Sequence, residues 1–238
     1  YKHYLSQHEI GALADNDVYK QGTLLDNIRI VSIEEALLYP FDKVLIMSRF
    51  VNEMTEQLAA LGLKADKILY PYDIGCLDKH RKAQKKILIV SDDLKRSGAQ
   101  IAILHASEVL HKNGYLVTIA SPCEGPLVEM IWRQGICLII DAALAINTFK
   151  DLPWISEFDL IIINTAVSYY LLLDRNTTIP VIWWLHECDE GYHWVLDEHL
   201  NRIPYQVQEH SHIGFSTIQY HDLLQHLLHK LCIYIYPK

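Results

Sequence analysis

The sequence lacks the short motifs that mark the commonest nucleotide-binding and hydrolytic enzymes. It contains no G-x-x-x-x-G-K-[ST] loop, no G-x-G-x-x-G turn and no G-x-S-x-G elbow. These absences argue against a P-loop ATPase, a standard dinucleotide dehydrogenase and an α/β-hydrolase. Any nucleotide site must therefore be built from a different loop.

Long apolar runs and paired cysteines are also missing. No segment approaches the roughly 18 uncharged apolar residues of a membrane span, and no apolar leader follows Tyr1. The cysteines are odd in number and show no C-x-x-C spacing: Cys76, Cys123, Cys137, Cys188 and Cys232. This pattern favours a reduced, cytoplasmic protein with buried thiols over a disulfide scaffold.

Positive charge is scarce overall. The chain has 21 Lys and Arg residues against 29 Asp and Glu residues, so its formal net charge is -8. The protein as a whole is therefore no electrostatic partner for nucleic acid or for anionic lipid. The basic run within residues 79–86 is predicted to be a solvated linker rather than a binding arm.

What the sequence does contain is a strand, polar loop, helix and strand in succession. Ile87–Val90 is a short apolar run typical of a buried parallel strand. The polar loop Ser91–Gly98 leads into a predicted helix, Ala99–Lys112, and then into a strand, Tyr115–Ala120. Ligands of such sheets bind beyond the carboxyl ends of the strands, so this loop is the predicted site.

The predicted helix carries apolar residues at adjoining positions, which predicts that this face packs on the sheet. These residues are Ala102, Ile103, Ala106, Val109 and Leu110.

The polar stretch 76–85 is predicted to be a linker between two units, residues 1–75 and residues 86–238. The first unit has strand patterns at Glu9–Leu13, Ile28–Val31, Lys43–Ser48 and Lys67–Tyr70, with helices at 33–38 and 53–61. The second continues with strands at 136–140, 160–163, 181–185, 213–216 and 231–236, and helices at 127–134, 152–157, 167–173, 190–202 and 219–230. Alternating strands and helices predict an α/β fold with two Rossmann-like units and parallel sheets.

Four motifs of the second unit resemble the N-terminal half of the retaining glycosyltransferases with two Rossmann domains (GT-B type), in the large family 4. The loop Ser91–Ala99 is similar to the family's strand-end loop, which closes on a Gly-Gly pair, although Ser97 stands at the first glycine. Gly114–Ile119 is similar to Gly-His-x-Val-Thr-Val, with tyrosine for histidine. The segment from Asp159 to Asn164 and the segment 179–187, which ends in His-Glu, resemble its two later strands.

The resemblance implies a nucleotide diphosphate sugar as donor, a glycan or sugar-containing acceptor, and no separate cofactor. It implies substrate-binding roles for seven residues: Ser97, Gly98, Ala99, Asn164, Thr165, His186 and Glu187. A helix N-terminus opened by a glycine favours phosphate oxygens. His186 would contact the donor sugar or its phosphate.

Five of these residues also have a purely structural interpretation, which the sequence leaves open. Gly98 fits a simple turn and His186 a core histidine, while Asn164 and Thr165 fit a helix cap and Glu187 an acid of the N-cap kind. No metal site is predicted, because the acidic and histidine-rich run after His186 lacks H-E-x-x-H spacing. The run Ser91–Asp93 is predicted to be a solvated loop.

The first unit resembles the later part of a Rossmann-like domain attached to several sugar-modifying enzymes. The resemblance rests on residues 11–22, on the capped helix and on residues 41–48 and 58–69. It implies that Asp15 ends a strand where a ribose can be held. Because no glycine-rich turn precedes it, we expect a docking or regulatory role rather than a cofactor site.

Together these observations predict a glycosyltransferase fragment whose donor-binding domain lies beyond Lys238, so that the fragment alone is inactive. The alternative is a non-catalytic Rossmann-like module for recognition or regulation, and a sugar-nucleotide-modifying enzyme is a third hypothesis. Homo-oligomerisation is left open by the sequence.

Overall fold

A computed structural model describes residues 8–75, 85–173, 179–184, 186 and 232–235. The chain forms two compact units, one of residues 1–46 and 52–70 and the other of residues 47–51 and 71–238. Both contain helices and parallel strand pairs, so the predicted α/β class is confirmed. The predicted linker 76–85 stays a prediction, because all of it except Lys85 lies outside the described residues.

The described part of the first unit holds two small sheets. Its elements are β1 Leu13–Ala14, β2 Leu24–Leu25, β3 Ile28–Val31, α1 Ile33–Ala36, β4 Val44–Leu45, α2 Val51–Ala60, a 3-10 turn Ala65–Lys67 and β5 Ile68–Leu69. β3 pairs parallel with β1 and antiparallel with β2, while β4 pairs parallel with β5. Ser32 caps α1, since its hydroxyl accepts the N–H of Glu35 at 3.1 Å.

The sequence missed the hairpin of β2 and β3. Its turn is Asp26-Asn27, with φ of 52° and 65°, a left-handed pair that joins two strands with the correct twist. Three predicted strands of this unit shorten to two residues each, and the predicted helix 33–38 ends at Ala36. The pattern located these elements, but it overestimated their length.

The described residues of the second unit are organised around a six-stranded sheet. Its strands are β6 Lys86–Val90, β7 Leu116–Ser121, β8 Cys137–Ile140, β9 Leu160–Asn164, β10 Val181–Trp184 and β11 Cys232–Ile235. Their order is β11-β10-β9-β6-β7-β8, and every neighbouring pair is parallel except β10 and β11. In the antiparallel pair, Trp184 lies opposite Cys232.

Helices and 3-10 turns precede β6 or connect the strands from β6 to β10. They are α3 Pro71–Gly75, α4 Gly98–Lys112, α5 Val128–Arg133 and 3-10 turns at Ala142–Ala145, Phe149–Asp151, Ile155–Glu157 and Ala166–Leu172. The last of these was predicted as an α-helix. α4 ends as predicted before Gly114, whose φ of 87° suits a residue without a side chain.

The strands β6 to β10 are almost entirely buried. Ile87, Leu88 and Ile89 of β6 have no exposed surface, and all five residues of β9 are buried. Continuous apolar runs of this kind are what a parallel sheet covered by helices requires. Each such side chain contributes roughly 1.5–3 kcal/mol relative to exposure, so the central strands form a rigid frame for the residues that follow them.

Two further expectations are corrected here. Val109 of α4 is 38% exposed instead of facing the sheet, whereas Gln100 and Ser107 are buried. Cys123 is exposed, so the expectation of buried thiols is wrong for that residue.

The predicted helices 190–202 and 219–230 and the predicted strand 213–216 lie outside the described residues. Within the described part of the chain, no helix is long and apolar enough to cross a bilayer.

Candidate functional site

Three neighbouring parallel strands end at the same edge of the sheet. Ser91 follows β6, and His186 lies just beyond β10. Asn164 is the last residue of β9, and Thr165 follows it. Because carboxyl ends of parallel strands share one edge, these residues lie at the place where α/β proteins bind ligands. We call it the carboxyl edge. That its residues bind a ligand stays a prediction.

Asp92 is the centre of a hydrogen-bond network at this edge. Its Oδ1 accepts from Nε2 of Gln100 at 3.0 Å and from Oγ1 of Thr165 at 3.4 Å. Burial, followed by repulsion from Asp93, raises the pKa of the Asp92 carboxyl, although the Thr165 hydroxyl acts in the opposite direction. Asp92 is half-buried and Ser91 beside it is fully buried, so the prediction of a solvated loop is wrong for Ser91.

The start of α4 lies beside this network. Gln100 is only 4% exposed, and its Oε1 accepts from the hydroxyl of Ser97. Ser97 occupies the N-cap position, but its side chain caps no N–H of the helix. A Cβ added at Gly98 would meet no atom within 4 Å. The first turn of α4, which includes Ala99, thus lacks a side-chain cap and is accessible at Gly98.

Thr165 has an unusual backbone. Its φ is 68° and its ψ is 159°, in a region that is essentially restricted to glycine. A residue held there costs of order 1–3 kcal/mol, and such residues cluster at functional sites. Thr165 lies at the N-cap of the 3-10 turn Ala166–Leu172 but makes no side-chain cap bond, so the capping interpretation is wrong for this residue.

Asn164 is completely buried and faces Ser91. Its Nδ2 donates to Oγ of Ser91 at 3.5 Å, and that hydroxyl donates to the carbonyl of Asp93 at 2.7 Å. The Asn164 Oδ1 has no hydrogen-bond partner. Asn164 therefore ties the ends of β6 and β9 together and keeps an unused acceptor.

His186 packs against the end of β10. Its ring centroid lies 4.6 Å from that of Trp184, with a 39° angle between the rings. The side chain is half-buried, which is compatible with both a core and a ligand-contact role. Glu187 lies outside the described residues.

Comparison with known proteins agrees with this geometry. Residues 83–217, more than half of the 238, match the family described as Glycosyl-transferase family 4. The chain belongs to glycosyl-transferase family 4. Residues 2–69 match the family described as C2185-like, N-terminal. No curated protein matches the chain.

The family match spans β6 to β10 and every predicted edge residue. The second unit is therefore a GT-B-like glycosyltransferase domain with a parallel α/β sheet, as the resemblance implied. No group of three or more His, Cys, Asp or Glu residues that could hold a metal ion occurs in the part of this domain that the structure describes.

Sequence reasoning missed three residues of this glycosyltransferase domain. Gln100 falls one turn before Ile103 on the buried face of α4, and that spacing could have identified it. Trp183 donates from Nε1 to the Thr165 carbonyl at 2.7 Å, a contact that no local pattern indicates. The Tyr170 hydroxyl donates to the Leu144 carbonyl at 2.6 Å, and burial together with Asp92 raises the pKa of Tyr170 to about 12.

In the first unit, Asp15 follows β1 and forms an ion pair with Lys20 at 2.7 Å. This contact lowers the pKa of the Asp15 carboxyl. A second oxygen of Asp15 accepts the N–H of Asp17 at 2.9 Å. Both carboxylate oxygens therefore have partners in the loop, and the ribose-holding role stays a prediction.

Proposed function

We propose that the carboxyl edge takes part in moving a hexose from a nucleotide diphosphate sugar to a glycan or another sugar-containing acceptor, with retention at the anomeric carbon. The second unit would be the acceptor-side half of a two-domain GT-B enzyme and would need no separate cofactor. The family match and the position of the polar residues at the edge support this proposal. A cytoplasmic location belongs to the proposal, on the cysteine pattern.

The observation that carries the proposal is the accessible, side-chain-uncapped start of α4 at Gly98. Unpaired N–H groups and the helix dipole stabilise an anion at such a point. A leaving diphosphate gains negative charge as the glycosidic bond breaks, so fixed N–H groups there would stabilise the transition state. His186 would contact the sugar or a phosphate, and Asn164 and Thr165 would bind hydroxyls. Glu187 would accept from a sugar hydroxyl.

Gly98→Ala tests the proposal directly. The added methyl group meets no protein atom within 4 Å, and alanine is a good helix residue, so we expect the melting temperature to stay within about 2 °C. The methyl group would, however, hold a phosphate away from the N–H groups. We expect affinity for uridine, guanosine or adenosine diphosphate sugars to fall about tenfold, measured by calorimetry on the full-length protein.

Gly11→Ala is the matched control, because its Cβ would come no closer than 3.8 Å to the Pro40 carbonyl oxygen and it lies in the first unit. It should change neither stability nor affinity. A protein that binds none of these nucleotide sugars, or a Gly98→Ala variant that binds as tightly as the parent, would contradict the proposal. The first result would favour a non-catalytic recognition module.

A further inference from the structure

Thr165 is unusual among the described residues in its backbone conformation. Three non-glycine residues there have positive φ, and two of them, Asp26 and Asn27, form a hairpin turn that requires it. Thr165 lies at the carboxyl edge instead. It is β-branched, so its side chain is especially unfavourable at a φ of 68°.

Neighbouring groups hold Thr165 in this conformation from both sides. Its N–H donates to the carbonyl of Trp184 at 2.9 Å, as an extension of the pairing of β9 with β10. Its carbonyl accepts Nε1 of Trp183 at 2.7 Å. Trp183 has no exposed surface, so its indole ring cannot turn towards solvent to release this bond.

The fixed backbone of Thr165 has a consequence for the position of its side chain. The Oγ1 atom comes within 3.4 Å of the Asp92 carboxylate, which also accepts from Gln100. Gln100 in turn accepts from Ser97, the residue before Gly98. A continuous set of contacts therefore runs from the indole in β10 to the start of α4.

We propose that Trp183 and Thr165 are positioning residues of the carboxyl edge. Trp183 fixes the strained Thr165 backbone, the Thr165 hydroxyl fixes Asp92, and Asp92 fixes the first turn of α4 through Gln100. The effect of this arrangement on ligand binding rests on the proposed function. The contacts between these residues do not depend on that function.

The first test compares alanine with glycine at position 165. At an ordinary position alanine is the more stable of the two. Here glycine relieves the strain and alanine keeps it. The equilibrium constant for folding, measured by urea unfolding, should therefore be about tenfold larger for Thr165→Gly than for Thr165→Ala. Thr118, buried in the middle of β7, is the control position, where alanine should be the more stable variant. If the alanine variant were more stable than the glycine variant at both positions, the strain argument would be overturned.

The second test measures the Asp92 titration by carboxyl-carbon NMR. The Thr165 hydroxyl lowers the pKa of Asp92, so Trp183→Phe should raise this pKa although Trp183 makes no hydrogen bond to Asp92. Thr165→Gly should also raise the pKa of Asp92. Thr165→Ser keeps the hydroxyl, so its Asp92 pKa should equal that of the parent. Among the described residues, the other ionisable groups that interact with Asp92 are Asp93, Lys95 and Tyr170, and none of these is substituted in the variants. An unchanged Asp92 pKa in Trp183→Phe would overturn the positioning role.

A third measurement separates this inference from the proposed function. Affinity for uridine diphosphate should fall about tenfold in Trp183→Phe and stay near the parent value in Gly11→Ala, which lies in the first unit. If the parent protein binds no nucleoside diphosphate or nucleotide sugar, the proposed function fails, while the Asp92 titration still decides whether Trp183 positions this edge. If the parent binds and Trp183→Phe binds equally well, the link between this contact set and the ligand is refuted.

Discussion

Replacing Gly125 by alanine is expected to lower the free energy of unfolding by about 3 kcal/mol. A Cβ at this position would lie 2.5 Å from the carbonyl oxygen of Leu94 and 2.6 Å from its carbonyl carbon. Both are backbone atoms, and Leu94 is fully buried, so the loop cannot move aside cheaply. The N–H of Leu127 also donates to the Leu94 carbonyl at 3.2 Å, which fixes the two loops together.

The expected loss corresponds to a fall in melting temperature of roughly 6–12 °C for a chain of this size. Urea unfolding and thermal melting would both report it. Gly98→Ala is the stability control, because its methyl group meets no atom within 4 Å. A Gly125→Ala variant as stable as the Gly98→Ala variant would show that the two loops are not held at this distance.

Replacing Asp141 by alanine is also expected to lower the free energy of unfolding by about 3 kcal/mol. Asp141 is only 4% exposed and accepts two hydrogen bonds, from the N–H of Ala143 at 3.0 Å and from Nε1 of Trp154 at 3.1 Å. Alanine leaves both donors buried without this acceptor. Trp154 also stacks on Tyr72 at 5.9 Å, so part of the loss will come from looser aromatic packing.

The Asp141 carboxyl gives this prediction a pH signature. Burial raises its pKa above 3.8, against the opposing effect of its two donors. A carboxyl with a raised pKa in the folded state binds its proton more tightly there than in the unfolded chain. Its contribution to stability is therefore complete below about pH 3.8 and is lost as the pH rises through the raised value.

Asp141→Asn, which stays neutral and keeps one acceptor oxygen, isolates that contribution. The free energy of unfolding of Asp141→Asn should fall furthest below that of the parent at about pH 3.5 and less far below it at about pH 7, measured by urea unfolding at both values. A deficit that grows with pH would mean that the two donors outweigh burial and that the folded-state pKa is lowered.

The framework of the second unit could be predicted because its signals are local. Ile87–Val90 is apolar, a polar loop follows it, and Gly114 supplies the left-handed residue after α4. The face of α4 was predicted less well. Ser107 is buried because its hydroxyl donates to the Ile103 carbonyl of the same helix at 2.7 Å, so its polarity did not indicate exposure.

The details of the carboxyl edge could not be predicted, because they depend on contacts between distant residues. Asp92 and Thr165 are separated by 73 positions, and only the pairing of β6 with β9 brings them together. The backbone of Thr165 departs from what its residue type favours, since glycine is the usual residue there. In the second unit the sequence pattern located the carboxyl ends of the strands to within about one residue, but it does not give the side-chain partners that meet across them.

The antiparallel pairing of the last strand affects how the chain can vary. β10 ends at Trp184, directly opposite Cys232, where β11 begins, so both strand ends lie beside the same polar edge. On the proposed function, insertions or deletions between these two strand ends should therefore alter ligand selectivity first. Length changes before Leu116 or Leu160 act where parallel strands begin, at the far side of the sheet, and should leave selectivity intact.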